Sequence, residues 1–221
     1  MQGQAVTGMV LSSMPIGEYD RRVVILTRER GKISAFARGS RRPNSPLSAC
    51  CRTFCTGEFD LFTGRDSYSL RSAKILDWFE DLAGDLDAAV YAYYFAELAD
   101  WCTRENNDES RMLELLYRAC RALTRGAIPP EMIKAVFELK AMTISGEYPG
   151  GDAENVSDTV RRAHDLVVES GPAEMFTFSL QPEYAEEFGR LTEKIRERHI
   201  GRRFSSLDVL KQLSGADQAG E

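Results

Sequence analysis

Residues 31–38, Gly-Lys-Ile-Ser-Ala-Phe-Ala-Arg, alternate apolar and polar side chains with a period of two, a pattern that an extended strand converts into one buried and one exposed face. Four other segments in the first third read as strands: Ala5–Leu11, the β-branched Arg21–Thr27, Thr53–Phe62 and Ser67–Lys74. Turn chemistry separates them, at Pro15-Ile16-Gly17, Arg30-Gly31, Gly39 to Pro46, and Thr63-Gly64-Arg65-Asp66. Gly8 and Gly57 interrupt strand patterns, where glycine marks a bulge or a barrel corner. Pro46 to Arg52 reads as a short helix between the third and fourth strands. Five short strands with a helical insert after the third match a five-stranded OB-fold barrel, which closes its edges and needs only a small core; an SH3-like barrel is the rival.

Beyond residue 78 the hydrophobic period lengthens to that of helices. Leu86, Val90, Tyr94, Leu98 and Trp101 recur every three or four residues, as do Met112, Leu116, Cys120 and Leu123. Pro129 and Pro130 open a further helix with Ile133, Val136, Phe137 and Ile144 on one side. Gly146 to Gly151 is a turn-rich break, a weaker helix covers Glu154 to Glu169, and Tyr184, Phe188, Leu191 and Ile195 mark another. Ser205 and Asp208 have capping-box spacing for a last short helix, Leu207 to Leu213. The expected architecture is therefore α+β and multidomain: a barrel over 1–78, an all-α domain over 79–214, and a disordered tail over 215–221.

The net charge of −6 conceals an asymmetry: residues 1–75 carry 12 Lys and Arg against 6 Asp and Glu, and residues 76–221 carry 16 against 28. A polyanion feels the face in front of it within about 8 Å at physiological salt, so the basic third can bind phosphate while the whole chain is acidic. On the third strand Ile33, Ala35 and Ala37 point inward and Lys32, Ser34, Phe36 and Arg38 outward. Cations interleaved with an aromatic ring are what a single-strand platform needs, because bases stack on the ring and phosphates pair with the cations. Arg41 and Arg42 extend the charge into a loop, and Arg21, Arg22, Arg65 and Arg71 widen the patch. Near the C-terminus Arg190, Lys194, Arg198 and Arg202 recur every four residues as a helical stripe, with Arg203 adjoining. Beside the apolar stripe, this ridge suits an acidic peptide with a hydrophobic tip; Glu186 and Glu193 would otherwise make it an ordinary solvated face.

Catalytic chemistry finds no constellation. The two histidines, His164 and His199, lie in separate helical segments, and no zincin, nucleophile-elbow or phosphate-loop pattern occurs. Asp81, Asp85 and Asp87 precede a helix and read as N-terminal charge and capping. The five cysteines, Cys50, Cys51, Cys55, Cys102 and Cys120, form no zinc spacing and read as reduced thiols. The first residues lack the basic and apolar regions of a signal peptide, and the run Ala88–Ala99 carries Glu97 and is too short to span a bilayer. These features lead to the expectation of a non-enzymatic cytoplasmic protein without cofactor.

Four segments in order, Gly8 to Leu47, Gly57 to Ile75, Phe137 to Pro149 (FELKAMTISGEYP) and His199 to Leu210 (HIGRRFSSLDVL), resemble the RecO family of bacterial recombination mediators. The resemblance implies an OB-fold followed by a helical domain. It also implies binding of single- and double-stranded DNA, annealing of complementary strands, and recognition of the C-terminal tail of single-stranded-DNA-binding protein (SSB). Partners implied are RecR and, in many bacteria, RecF, in loading RecA, at the nucleoid; a monomer outside such assemblies is the expectation from the chain itself. It places Lys32, Arg38, Arg41 and Arg42 on the DNA face. Many members carry a four-cysteine zinc module after the segment matching Gly146 to Pro149; here no cysteine follows Cys120, so the module is expected to be missing and Gly150 to Gln181 is the segment that the resemblance leaves open. A generic single-strand or RNA-binding module and a protein-only scaffold are the alternatives.

Overall fold

The computed structural model describes residues 3–64 and 67–217. Five strands, β1 (Gly3–Ile16), β2 (Asp20–Thr27), β3 (Gly31–Ala37), β4 (Thr56–Thr63) and β5 (Tyr68–Asp77), close into a barrel in the order β1-β2-β3-β5-β4. All neighbours are antiparallel except β3 and β5. With the helix α1 (Leu47–Cys50) after β3, this is the OB-fold. β1 is longer than its apolar run and continues through Pro15, so the turn falls at Gly17 to Tyr19. Proline is tolerated there because this end of β1 is paired only with β2, so its missing N–H can lie on the unpaired side.

β1 serves two neighbours. Gly3 to Met9 pairs with β4 and Gly8 to Ile16 with β2, with a bulge between Val10 and Ser12 where the strand changes partner. Gly8 and Gly57 pair with each other, and a Cβ on either would lie 2.4 Å from a carbonyl oxygen, of Leu26 or Lys74 respectively. Val10, Val23, Ile25, Ile33, Ala35, Ala37, Phe59, Leu61 and Leu70 fill the interior, with Leu47 and Cys50 of α1 packed against them.

The remaining elements are α2 (Glu80–Gly84), α3 (Leu86–Cys102), α4 (Ser110–Arg125), α5 (Pro130–Ser145), α6 (Asp158–Glu169), a 3-10 turn (Pro172–Glu174), α7 (Pro182–His199) and α8 (Ser205–Asp217). The chain divides into two compact units. One holds the chain through Glu80 together with Thr103–Leu113; the other holds Asp81–Cys102 and the chain from Glu114 on. A division at residue 78 alone therefore leaves out 103–113, which joins the barrel through backbone bonds: Lys32 N donates to Arg104 O at 3.0 Å and Asn106 N to Arg30 O at 2.9 Å. Gly31, at φ +64°, makes this possible, since a Cβ there would sit 2.3 Å from Arg104 O.

In the helical unit α3 and α5 are buried on most of their surfaces, and Phe95 stacks on Phe137 with ring centroids 4.4 Å apart. Leu86 is exposed rather than part of the α3 stripe, because the helix begins there, capped by Asp85 Oδ1 accepting from Ala88 N at 3.0 Å. Glu138 of α5 is fully buried. It accepts from Tyr94 Oη at 2.5 Å and pairs with Lys134 at 3.3 Å, and Arg196 Nε of α7 stands 3.2 Å away at an ion-pair distance without hydrogen-bond alignment. Burial, then the Glu138 charge, raise the Tyr94 phenol well above its ordinary value.

The 150–181 segment forms α6 and the 3-10 turn over a polar cluster: Tyr148 Oη lies 2.8 Å from His164 Nε2 and accepts from Asp152 N at 3.0 Å, and His199 Nε2 is 3.1 Å from Asp152 Oδ2. Among the described residues no group of three His, Cys, Asp or Glu is placed to hold a metal, and no helix is long and apolar enough to cross a membrane. The Ser205–Asp208 capping box does not form. Instead Glu97 of α3 accepts from Ser206 N at 3.0 Å and Ser205 N at 3.3 Å, while Asp208 pairs with Arg203 at 2.8 Å; a carboxylate is the stronger acceptor at a helix N-terminus. α8 starts at Ser205 and runs through Asp217, into the segment expected as a disordered tail; residues 218–221 lie outside the described residues.

Two substitutions measure these constraints by urea-unfolding midpoint. Gly31→Ala should destabilise by more than about 2 kcal/mol, while Gly17→Ala, at φ +58° with open space around it, should cost about 1 kcal/mol. Glu138→Ala removes the carboxylate shared by Tyr94, Lys134 and Arg196, leaving Arg196 only the more exposed Glu193 and Glu197, and should cost about 3 kcal/mol.

Candidate nucleic-acid interface

One line of directly paired residues crosses the outside of the barrel: Met14 on β1, Arg22 on β2, Phe36 on β3, Ser69 on β5 and Phe62 on β4. Residues paired across strands share a face, so the line sets two half-buried aromatic rings and an exposed guanidinium side by side. Arg22 Nε is held by Ser34 Oγ at 2.6 Å, and the Arg71 guanidinium lies 4.5 Å from the Phe62 ring centroid. Fixed cations beside rings are the arrangement that stacks bases and pairs phosphates.

The loop after β3 is tied to the β1–β2 hairpin. Gly39 N donates to Asp20 Oδ1 at 2.7 Å, Arg41 N to Tyr19 O at 2.9 Å, and Arg41 Nη1 to Gly17 O at 3.0 Å. The Arg42 guanidinium stands 5.2 Å from the Tyr19 ring centroid. Arg38, Arg41 and Arg42 are all exposed. The hairpin adds three large exposed side chains, Met14 at 56%, Ile16 at 39% and Tyr19 at 43%. Hydrogen bonding with Glu18, with some desolvation, raises the Tyr19 phenol above its ordinary value.

The expected residues do not all converge. Phe36, Arg71, Arg38, Arg41 and Arg42 belong to the line or its adjoining loop. Arg21 alternates to the opposite side of β2 from Arg22, paired with the inward Ala37, and its Nη1 donates to Ser13 Oγ at 3.3 Å. Lys32 shares the face of Phe36 but sits at the other end of β3, about 20 Å from Arg38 at strand rise. The charge there is mixed: Glu105 accepts from Tyr68 Oη at 3.0 Å, and the Asp108 carboxyl is lowered first by bonds from Ser110 and then by Arg28. Arg65 lies outside the described residues.

The sequence reading missed Tyr19, Met14, Ile16 and Phe62. Phe62 has a signal in sequence, since Phe59 and Leu61 already occupy the inward phase of β4 and Phe62 falls out of phase. Tyr19 has none, because only the fold brings Arg42 to it.

The C-terminal stripe breaks up. α7 ends at His199, with Ile200 extended (φ −113°, ψ 99°), and the burial of Ile200 and Phe204 takes the chain off the helix. Arg202 therefore leaves the stripe and lies 5.7 Å from the Phe204 ring centroid, while Arg203 pairs with Asp208. Arg190 pairs with Glu186 and borders a groove of 680 Å³ walled by α5, α7 and α8. Lys194 and Arg198 line a different hollow of 420 Å³, where Asp152 pairs with Arg198 at 2.9 Å.

Hydrogen bonding with Cys51 lowers the Cys50 thiol below its ordinary value. All five cysteines are free, and four are buried. Cys50 hydrogen bonding and burial push Cys51 far up, and burial first raises Cys55 to about 12.

Comparison with known proteins gives two family matches in succession along the chain. Residues 1–79 match the family model "Recombination protein O N terminal" and residues 83–159 match "Recombination protein O C terminal". A DNA repair protein RecO of Acetivibrio thermocellus is 26% identical over 94% of this chain and 96% of its own. One of Clostridium kluyveri is 25% identical over 93% and 92% respectively. One of Alkaliphilus metalliredigens is 37% identical over 64% of this chain and 58% of its own.

Proposed function

The chain belongs to the RecO family, and on that premise we propose that it is a DNA repair and recombination mediator that binds DNA through the outer line of its barrel. The observation that carries this reading is the register line Met14–Arg22–Phe36–Ser69–Phe62 with the hydrogen-bonded Arg41 and Arg42 loop beside it. Bases stack on Phe36 and Phe62; Arg22, Arg38, Arg41, Arg42 and Arg71 take the phosphates. The work is physical rather than chemical. Holding single strands unpaired and concentrating them favours annealing, and the same cations accept duplex backbone. The protein acts with no active site and no cofactor of its own, in the cytoplasm at the nucleoid.

The 680 Å³ groove is the proposed seat of the SSB tail. Leu180, Pro182 and Ala185, over the buried Met132 and Leu207, give it an apolar lining for a hydrophobic tip, and Lys134, Arg190 and Lys211 stand at it for carboxylates. These cations now pair with Glu138, Glu186 and Glu193, so an acidic peptide competes with internal partners and binds reversibly. RecR, with RecF where present, would join the protein on SSB-coated DNA and deliver RecA.

The test is fluorescence anisotropy of a labelled single-stranded oligonucleotide across a salt series. The log–log slope should be about −0.7 per phosphate contacted, and the Arg38→Ala, Arg41→Ala, Arg42→Ala variant should flatten it by about 2. No binding at low salt would instead favour a protein-only scaffold. For the tail peptide, Arg190→Ala with Lys211→Ala should weaken binding about tenfold, roughly 1.4 kcal/mol, leaving DNA affinity unchanged; equal peptide affinity would move its seat elsewhere.

A further inference from the structure

The helical unit is acidic, yet one face of α4 is not. Arg118, Arg121 and Arg125 recur three and four residues apart on the exposed side of this helix, and a single carboxylate, Glu114, stands among them, paired with Arg118 at 2.9 Å. Together they line a recess of 460 Å³ whose opposite wall is the turn that follows the 3-10 segment. Two aromatic side chains complete it, Tyr117 and Phe176. Arg121 is already ordered on Tyr117, with Nε donating to Tyr117 Oη at 3.3 Å and the guanidinium 5.6 Å from the ring centroid.

Phe176 is the unusual member. Its φ is +63°, a left-handed conformation that costs a bulky residue about 1–2 kcal/mol. The neighbours hold it there: Met175 is buried, Met175 N donates to Pro172 O at 3.2 Å, and Thr177 Oγ1 donates to Glu174 O at 2.6 Å. The turn thus spends backbone strain and sets an only half-buried ring in the wall of an arginine-lined recess. Phe54 and Phe79 also have positive φ but are buried, whereas Phe176 keeps part of its ring at the recess.

We propose that this recess is a second nucleic-acid site, on the helical unit, that takes one unpaired base of a single-stranded phosphodiester chain against Phe176 and Tyr117 and its flanking phosphates on Arg121 and Arg125. Guanidinium forks match phosphate oxygens, and any base has a face to stack. A compact recess with two rings suits a flat base better than an extended acidic peptide, which needs a long groove or a strand edge. The purpose of the site rests on the mediator reading: a second strand held apart from the one on the barrel gives annealing two bound partners. Its chemistry does not depend on that reading.

The test is photocrosslinking of the unaltered protein to a single-stranded oligonucleotide carrying 5-iodouracil, with the crosslinked peptides mapped by mass spectrometry. Crosslinks are expected at Tyr117 or Phe176 as well as at Phe36 or Phe62. Crosslinks on the barrel alone overturn this inference and leave the mediator reading intact. Crosslinks on the recess alone support it and overturn the barrel as the DNA face; none at either place overturns both. In parallel, Arg121→Ala with Arg125→Ala should flatten the salt slope of single-strand binding by about 1.4, two contacts at 0.7 each, and Arg121→Lys with Arg125→Lys should recover most of it. An unchanged slope together with lost binding of an acidic peptide would make the recess a protein-docking pocket and overturn the proposal.

Discussion

The barrel depends on β1 being hydrogen-bonded on both sides. Pairing one half of β1 with β4 and the other with β2 joins the two ends of the sheet, and the strands close only if backbones approach tightly where β1 changes partner. Gly8 opposite Gly57 meets that requirement, and the bulge at Val10–Ser12 supplies the bend. Small Ala35 and Ala37 inside β3 leave room for Phe59, Val23 and Ile25. Closure also fixes the register, and the register aligns Phe36, Phe62 and Arg22 on one outer line.

The helical unit is organised around a charge rather than around a tight backbone. Burying Glu138 is costly unless it is paired, and its partners come from three helices: Tyr94 on α3, Lys134 on α5 and Arg196 on α7. The cluster ties these three helices together through one buried carboxylate. The Tyr148–His164–Asp152–His199 cluster likewise ties the 146–152 turn to α6 and the end of α7.

Preorganisation links these cores to binding. Arg41 and Arg42 sit on a loop, yet bonds to Gly17 and Tyr19 hold the loop, and Arg22 and Arg71 are held by Ser34 and Phe62. Cations positioned before a ligand arrives lose less rotamer entropy on binding.

The strands, the order of helices and the basic third were legible in the sequence because they are written in local periods: Ile33, Ala35 and Ala37 at every second residue, Phe188, Leu191 and Ile195 at helical spacing. So were the opening of α5 at Pro130 and its end at Gly146, since those residues act through their own backbone. The tertiary structure alone decided what depends on distant pairs. It carried residues 103–113 onto the barrel, replaced the Ser205–Asp208 box with Glu97 from more than a hundred residues away, and ended α7 before Arg202 to bury Ile200 and Phe204. It also turned Arg21 away from Arg22 and put Tyr19 beside Arg42. The physical reason is common to all of these: a side chain's periodicity is a property of its own segment, whereas its hydrogen-bond partner and its burial are supplied by whichever segment the closed barrel or the packed helices bring to it.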